Sequence, residues 1–447
     1  MMKTMNTAQE PIPLWRQLQA TAAVIGAVRN GSSGTAAVEA VTAPLRPGVQ
    51  ALAFHVWRNL GRAEALRSRL VSRMPAPATD ALLCVALALA WNEETAPYDA
   101  FTLVNQAVEA LKRNFSTAPH ANFVNACLRR FLRERVALVA ATDRDPEALW
   151  NHPRWWIERL QREHPQHWQS ILTLANTHPP MTLRVNVRQH SPADYLAQLH
   201  AAGIAAHAGE AAVVYLDQAV PVTQLPGFAQ GAVSVQDAAA QVAAPLLLQG
   251  LGPRPRVLDA CAAPGGKTAH LLEASDAQVL AVEMDDKRMQ RVGLTLERLC
   301  LKADLRTADA ARPQDWWDGL PFDGILLDAP CTASGIVRRH PDVRWLRRET
   351  DIAQLAQLQQ RLLDALWPLL RPGGRMVYCT CSVFLSEGPQ QIQRFVERHS
   401  DAQHLPSPGH LLPSGNQSGN QSGNKVGDNP PHDHDGFFYA LLEKRSA

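Results

Sequence analysis

The chain has 447 residues, 46% of them hydrophobic, which is enough for two or three domains with cores of ordinary size. Its 44 lysines and arginines nearly balance 42 aspartates and glutamates, so any surface for a polyanion must be local. The longest apolar stretch, 81–91, is about half of the roughly 20 residues that a membrane span needs. Seven scattered cysteines do not resemble a secreted disulfide framework. We therefore expect a multidomain cytoplasmic protein with reduced thiols, no membrane partner and, by default, a monomeric state.

Two changes in the sequence pattern divide the chain into three parts. Residues 14–141 carry apolar side chains three and four positions apart with almost no strand-like sequence, which predicts an all-α domain, 1–145. Helical and strand-like segments then mix, including TLRVNV, and predict a small α/β module, 146–235. From 236 to 447, the strand-like runs RVLDA, QVLAVEM, DGILLDA and RMVYCT alternate with helical segments. That alternation predicts an α/β domain with a parallel sheet covered by helices on both faces.

The last part of the chain contains three further predicted elements. A helix over 351–370, capped by Thr350, is expected to stop at Pro372-Gly373-Gly374, just before the strand that holds two cysteines. The closing run GFFYALLEK has the apolar content of a last strand returning to the sheet. Between them, the repeat SGNQSGNQSGNK, 414–425, is too polar to pack and is predicted to be a flexible loop.

A glycine turn suggests a binding site for a small polar molecule. In VLDACAAPGGKT, 257–268, an apolar strand runs through Pro-Gly-Gly into a helix, so backbone N–H groups face outward. Glu283 follows Gly266 by 17 residues, near the spacing at which a carboxylate binds ribose hydroxyls, and Asp309 and Asp328 end the next two strands. Neither a dinucleotide nor a triphosphate fingerprint is present. S-adenosylmethionine, a nucleoside without phosphates, fits better, with mere turn chemistry as the alternative.

Two cysteine motifs, DAPC (328–331) and TCS (380–382), lie at the ends of the fourth and fifth predicted strands of this domain. Because parallel strands end at one edge of a sheet, Cys331 and Cys381 are expected to be neighbours. A redox pair is expected as C-x-x-C at the start of a helix, whereas Cys379 and Cys381 form C-x-C at the end of a strand, so Cys379 is predicted to be core rather than half of a redox pair. No histidines or cysteines repeat nearby at zinc-binding spacing, so no metal is expected. A nucleophile remains.

A methyltransferase needs a thiolate when its target is carbon 5 of a pyrimidine. That carbon is too electron-poor to attack a methyl donor directly, but addition of a thiolate to carbon 6 makes it nucleophilic. A carboxyl hydrogen-bonded to ring N3 stabilises the adduct, and Asp328 is placed for this. A second group must take the C5 proton so that the thiol can leave, and Cys331, or a water that it positions, is the candidate.

The chain resembles the Sun/Fmu branch of RNA cytosine-5 methyltransferases in CAAPGGK (261–267), LLDAPCTASGIVRRHPDVRW (326–345) and CTCS (379–382). The similarity includes LRVNV, VSVQDAAAQ and DGFFYA, and the segment FVNACLRR resembles the NusB-like helical domain of this branch. The resemblance implies a NusB-like RNA-binding domain, a small RNA-binding module and a Rossmann-like class I catalytic domain. It also implies S-adenosylmethionine as cofactor and a cytosine of 16S ribosomal RNA as substrate.

The resemblance also implies roles for individual residues. Cys381 would be the nucleophile and Cys331 would assist product release, with Asp328 beside them. The implied cofactor contacts are Cys261, Ala262, Ala263, Pro264, Gly265, Gly266, Lys267, Glu283, Asp309 and Asp328. Glu283 stands where many relatives have Asp, so a carboxylate is preserved.

The run RRHPDVRWLRR, 338–348, suggests an RNA contact beside the catalytic edge. Its arginines are predicted to reach phosphates, and Trp345 to offer a stacking face, with core packing of Trp345 as the alternative. The target is expected to be an unpaired or flipped cytosine.

Two rival functions stay open. One is a DNA cytosine-5 methyltransferase, although a Glu-Asn-Val motif is absent from the sequence. The other is an antitermination-type RNA-binding protein with a vestigial catalytic half.

Overall fold

A computed structural model of the protein describes residues 12–415 and 433–445. The chain forms two compact units, and the boundary between them lies at Asn176. The first unit also contains the later segment His340–Arg347, while the rest of the chain from Thr177 belongs to the second. Within the described ranges, no helix combines the length and the hydropathy that a bilayer crossing requires.

The first unit is helical, as the periodicity of residues 14–141 predicts. Its core centres on α5, which buries residues on nearly all of its faces and contacts α1, α4 and α6. The segment before the boundary forms two helices, and the first of them ends at Glu163. The helices before Asn176 are α1 Leu14–Arg29, α2 Gly34–Glu39, α3 Arg46–Trp57, α4 Leu60–Leu70, α5 Pro77–Ala90, α6 Ala100–Lys112, α7 Ala121–Thr142, α8 Pro146–Trp150, α9 Arg154–Glu163 and α10 Trp168–Leu174.

The second unit begins with a small antiparallel sheet of order β2-β3-β1-β4. Tyr195 and Leu199, four positions apart on one helix, pack with Leu183 in its core. The small α/β module expected from the sequence is therefore confirmed. Its elements are β1 Met181–Val185, α11 Pro192–Ala201, β2 Ala206–Ala208, β3 Val213–Leu216 and β4 Val233–Val235.

A larger sheet of order β10-β11-β9-β8-β5-β6-β7 follows. The strands β5 to β9 run parallel, and the last two pair antiparallel at one edge. The elements are α12 Ala243–Leu248, β5 Arg256–Ala260, α13 Gly266–Ala274, β6 Gln278–Glu283, α14 Asp286–Arg298, β7 Asp304–Thr307, β8 Phe322–Asp328, α15 Val343–Leu346, α16 Glu349–Leu366, β9 Leu370–Thr380, α17 Pro389–Arg398, β10 Ala402–Leu411 and β11 Phe437–Lys444. Short 3₁₀ helices span Ala118–His120, Val222–Gln224, Ala239–Val242, Pro313–Asp315, Trp367–Leu369 and Leu385–Glu387.

This sheet differs from the sequence prediction in three details. The sheet is mixed rather than wholly parallel, because the predicted last strand returns as antiparallel β11. The helix predicted at 351–370 begins at Glu349, with Arg348 rather than Thr350 at its N-cap, and ends at Leu366. Pro372-Gly373-Gly374 does not precede β9 but lies within it, where the pairing with β8 is irregular. Most of the predicted loop at 414–425 lies outside the described residues.

The prediction that the arginine run 338–348 contacts phosphates is wrong for its buried members. Arg344 has 0% exposure and donates to the carbonyl oxygens of Asn151 and Ala175, inside the first unit. In the same unit, Trp345 packs against the core and its Nε1 donates to the Trp57 carbonyl at 2.9 Å, so the core alternative is confirmed. In the second unit, Arg338 is equally buried in a network of carboxylates. A buried guanidinium offers no surface to a nucleic acid.

Candidate active site

The two motif cysteines meet at the edge where the parallel strands of the larger sheet end. Cys331 follows β8, Cys381 follows β9, and their Sγ atoms lie 3.4 Å apart. The main chain holds the two loops together as well, since the Gly335 N–H donates to the Cys381 carbonyl at 2.9 Å. The topology thus brings together two thiols that are fifty residues apart in sequence.

The electrostatics of these two thiols differ. The hydrogen bond with Cys381, together with burial, raises the pKa of Cys331 well above its ordinary value. Cys331 therefore keeps its proton and can donate it to the other sulfur. Cys381 is only half-buried, which leaves it open to a ligand at the sheet edge. Of the two, Cys381 is the better placed to react as a thiolate.

Cys379 occupies the core, as its position in the strand predicts. Its side chain has 0% exposure and packs in the apolar layer on one face of the sheet. Burial, followed by the nearby Asp328 carboxylate, raises the pKa of Cys379 well above its usual range. Its Sγ lies 3.5 Å from Asp328 Oδ1 and donates to it. This thiol supports the carboxylate rather than forming a redox pair with Cys381.

Asp328 ends β8 and forms an ion pair with Lys267, whose Nζ lies 2.6 Å from Asp328 Oδ2. Lys267 belongs to the first turn of α13, directly after the glycine turn, and its Nζ also lies 5.5 Å from the centre of the Phe437 ring. The ion pair therefore joins the predicted cofactor turn to the carboxylate beside the cysteines. Asp328 is 28% exposed, so one face of it is open at the sheet edge.

The CAAPGGK turn adopts a backbone that only some residues tolerate. Gly265, at the N-cap of α13, has a φ of 96°, and an added Cβ there would lie 3.1 Å from the Val292 Cα. Such a φ favours glycine strongly. The turn is fastened at its start by the Ala262 N–H, which donates to the Val282 carbonyl at 3.0 Å. Cys261 also has a positive φ, and burial raises the pKa of its thiol far above the ordinary value, so it stays neutral.

The remaining predicted cofactor residues lie at the ends of neighbouring strands. Glu283 ends β6, is 4% exposed, and accepts a hydrogen bond of 3.3 Å from the Ala263 N–H of the glycine turn. Asp309 follows β7 and is half-buried, with its Oδ1 accepting from the Ala311 N–H. The structure therefore brings Glu283 into contact with the turn, and it sets Asp309 beside the neighbouring strand without a direct bond to that turn.

Sequence reasoning missed a buried acid, Asp259, in the middle of β5. Asp259 has 0% exposure, accepts from Thr268 Oγ1 at 2.6 Å, and has no hydrogen-bond partner for its Oδ1 among the described residues. Burial raises its pKa to about 7. The acidic residue inside the apolar run RVLDA was the signal that could have identified it. Burying a charged group costs free energy, so such a residue in a buried strand indicates a specific role.

Of the two polar residues in LRVNV, Arg184 supports the turn from behind. Arg184 has 0% exposure and forms an ion pair of 2.7 Å with Glu273. Its Nη1 donates to the Gly266 carbonyl at 2.8 Å. Asn186 donates to the Gly231 carbonyl, which lies just before β4 of the small sheet. Arg184 is thus a structural support for the start of α13.

Family comparisons match three parts of the chain. A model described as 16S rRNA methyltransferase RsmB/F matches residues 248–443, and a ferredoxin-like domain of RsmF/B-like methyltransferases matches residues 152–223. The NusB family matches residues 16–133. The NusB-like helical domain, the small α/β module and the Rossmann-like domain are therefore confirmed, the module as a ferredoxin-like domain, whereas the exact boundaries at 145 and 235 stay predictions.

Individual relatives extend this similarity over nearly the whole chain. Ribosomal RNA small subunit methyltransferase B of Klebsiella pneumoniae (strain 342) is 41% identical over 406 residues, covering 89% of this chain and 90% of the relative. The protein of the same name from Pseudomonas putida is 42% identical over 441 residues, with 96% and 98% covered. The crystal structure of PH0851 superposes with a TM-score of 0.74 at 25% identity, covering 97% and 99%. The chain therefore belongs to the RsmB/F family of 16S rRNA methyltransferases.

Proposed function

We propose that the protein transfers a methyl group from S-adenosylmethionine to carbon 5 of a cytosine in 16S ribosomal RNA, with Cys381 as the nucleophile. The observation that carries this proposal is the pair of sulfurs of Cys331 and Cys381, 3.4 Å apart at the ends of β8 and β9. The names of the relatives, which act on small-subunit ribosomal RNA, support the substrate. An RNA substrate of this kind also implies the cytoplasm, and we propose that the protein works as a monomer.

The proposed reaction divides the work between the two thiols. The Cys381 thiolate bonds to C6 of the flipped cytosine, the C5–C6 electron pair moves to C5, and a proton shared between Asp328 and ring N3 stabilises the adduct. After C5 has gained the methyl group, its proton passes to a water that Cys331 positions. The C6–S bond then breaks with its electron pair on Cys381. A hydrogen bond from the Cys331 thiol stabilises that departing thiolate.

The residues at the strand ends fit a bound nucleoside. The N–H groups of the glycine turn offer donors, the Glu283 carboxylate suits ribose hydroxyls, and Asp309 suits an adenine amino group. The unpartnered Oδ1 of Asp259 adds a buried acceptor behind the turn. S-adenosylmethionine, when bound, supplies an electrophilic methyl group. The protein's own part is to hold Cys381, Asp328 and the target base around it.

The state of Cys331 argues against the DNA methyltransferase alternative. That chemistry would use the PC-motif cysteine as its nucleophile, yet Cys331 is buried and its pKa is raised well above the ordinary value. A nucleophile needs the opposite, an accessible thiol that ionises readily. The half-buried Cys381 meets the first of these requirements.

Separate serine variants test the proposal. C381S should lose methyl transfer to 16S ribosomal RNA and form no covalent RNA adduct, whereas C331S should trap an adduct that resists denaturing gel electrophoresis. C300S, a change at an exposed cysteine, is the matched control and should behave like the unaltered protein. Normal methylation by C381S would refute the proposal, and loss of the adduct in C331S alone would favour the DNA-type mechanism.

A second measurement addresses the antitermination alternative. That function needs RNA binding but no S-adenosylmethionine, so calorimetric titration with the cofactor would release no heat. We expect saturable binding of the cofactor. We also expect 5-methylcytosine in 16S ribosomal RNA only when the protein is present.

A further inference from the structure

A fully buried carboxylate, Glu387, lies behind the two cysteine loops. It ends a short 3₁₀ helix, Leu385–Glu387, that follows β9, and its side chain has 0% exposure. Its backbone is fixed to that strand, because the Tyr378 hydroxyl donates to the Glu387 carbonyl at 2.8 Å. A carboxylate in such a place is costly unless several donors compensate it.

The compensating donors come from both cysteine loops. Glu387 Oε1 accepts from the Thr332 N–H at 2.9 Å and from Gln359 Nε2 at 3.1 Å. Its Oε2 accepts from Thr332 Oγ1 at 2.5 Å and from Ser382 Oγ at 2.6 Å. Thr332 directly follows Cys331, and Ser382 directly follows Cys381. One side chain thus binds the next residue after each of the two sulfurs.

Only an ionised carboxylate suits all of these contacts at once. It is acceptor-only and has about four lone-pair sites, which matches the four donors found here. Hydrogen bonds to a charged acceptor are also shorter and about twice as strong as neutral ones. An apolar residue would leave the Thr332 N–H without this acceptor inside the protein. Short, charge-assisted bonds of this kind restrict both loops to one arrangement.

The geometry points to Glu387 as a positioning residue that sets the distance between the Cys331 and Cys381 sulfurs. It touches neither sulfur, and it acts through Thr332 and Ser382. The inference rests on the proposed function in one respect. The distance between the sulfurs matters for catalysis because the protonated Cys331 thiol can assist the Cys381 nucleophile only at hydrogen-bond distance. The contacts themselves do not depend on that function.

A thiol-coupling experiment without RNA or cofactor tests the inference directly. Diamide takes up two hydrogens from two nearby thiols and joins them as a disulfide, and the Cys331–Cys381 product is quantified by peptide mass spectrometry. In the unaltered full-length protein this pair should couple rapidly. E387Q replaces an acceptor by an N–H₂ group facing two hydroxyl donors, so the coupling rate should fall by about tenfold, the scale of one lost charged hydrogen bond.

The matched control is E273Q, the same change at another buried glutamate of the same unit, which bonds to Arg184 rather than to the cysteine loops. E273Q should keep the unaltered coupling rate. Native-like coupling in a folded E387Q, an equal loss in E273Q, or no coupling in the unaltered protein would each overturn the inference. If E387Q does not fold, S382A and T332V remove its hydroxyl donors singly and should each slow the coupling.

Two further readouts separate positioning from general damage and from a failure of the proposed chemistry. Because the side chain of Glu387 bonds to Thr332, Gln359 and Ser382 and not to the glycine turn, E387Q should bind S-adenosylmethionine with an affinity within about twofold of normal while kcat for methylation falls about tenfold. A lower affinity with unchanged kcat would contradict positioning. If the protein proved to methylate another atom, the coupling rates would still decide the role of Glu387.

Discussion

Lys267 Nζ lies 2.6 Å from Asp328 Oδ2, so the first turn of α13 is tied to the end of β8 at the candidate active site. Burial by itself lowers the pKa of Lys267, but the Asp328 carboxylate and the neighbouring thiols of Cys379 and Cys381 together outweigh that effect, so the net pKa is raised. The lysine therefore stays charged over the whole range in which the protein would work. The cation and the carboxylate act as one unit beside the thiols.

Removing the cation should damage methyl transfer severely. K267M leaves Asp328 without its ion-pair partner, so we expect methyl transfer to fall by about 100-fold or more, the usual loss when a charge-stabilising donor is removed. The loss is measured as the rate at which a labelled methyl group is transferred to 16S ribosomal RNA. K444M is the matched control, because Lys444 donates to the carbonyls of Trp367 and Leu370, away from Asp328. Equal losses in both variants would contradict the prediction.

The buried Asp259 should make the stability of the protein depend on pH in an unusual direction. Its folded pKa of about 7 lies above its unfolded value, so its contribution is fully present below about pH 4 and is lost as the pH rises to about 7. In D259N the side chain at this position does not ionise, so this pH dependence is removed. Relative to the unaltered protein, it should gain on the order of 2 to 3 kcal/mol between pH 5 and pH 8.

Denaturant unfolding at the two pH values measures this difference. D318N is the matched control with the opposite sign, since hydrogen bonds from Arg256 lower the pKa of the exposed Asp318. D318N should therefore not gain stability as the pH rises. A pH-independent difference between D259N and the unaltered protein would show that Asp259 is not the titrating group.

Arg344 should matter for the stability of the first unit and not for RNA contact. Burial, together with Arg58, lowers its pKa to about 9, and its guanidinium satisfies carbonyls at Asn151 and Ala175. R344A should lower the unfolding free energy of this unit by about 3 to 5 kcal/mol. R129A, at an exposed helix position, should change it by less than about 0.5 kcal/mol. Scanning calorimetry distinguishes the two, and a small effect of R344A would contradict the prediction.

Gly335 should tolerate no side chain. A Cβ at this position would overlap the Gly436 carbonyl, and the Gly335 N–H also holds the Cys381 carbonyl at 2.9 Å. G335A must therefore displace the loop that carries Cys331, and a shift of about 1 Å is expected to lower methyl transfer by about 100-fold. G252A has nothing within 4 Å of the added Cβ and should leave transfer unchanged. Normal transfer by G335A would show that the loop adapts.

The sequence was most informative where a backbone rule and a chemical rule coincide. The turn CAAPGGK requires glycine at Gly265, where φ is 96°, and its position after an apolar strand indicates a ligand site. The meeting of Cys331 and Cys381 followed from parallel strands ending at one edge. Cys379 was predicted as core because C-x-C leaving a strand does not match a redox motif. Each of these inferences needs only local sequence and the topology of one sheet.

Contacts between distant segments could not be predicted in this way. The bond between Thr332 and Glu387 spans 55 positions, and no spacing rule marks that glutamate. The arginine run looked like a phosphate-binding surface because charge patterns do not show burial. Its Asp342 accepts from the Gly34 N–H, which is 308 positions away, at 2.8 Å. Only the folded chain shows that such charges satisfy internal carbonyls and amides.

The position of His340–Arg347 inside the helical unit has a consequence for how this gene could have been assembled. The chain passes from one unit to the other after Asn176, again before His340, and once more after Arg347. A single recombination event at the first boundary would add or remove the helices that precede Asn176 but not the segment His340–Arg347. Without those helices, Arg344 and Trp345 would lose their hydrogen-bond partners. Helices and inserted segment must therefore be inherited, exchanged or lost together.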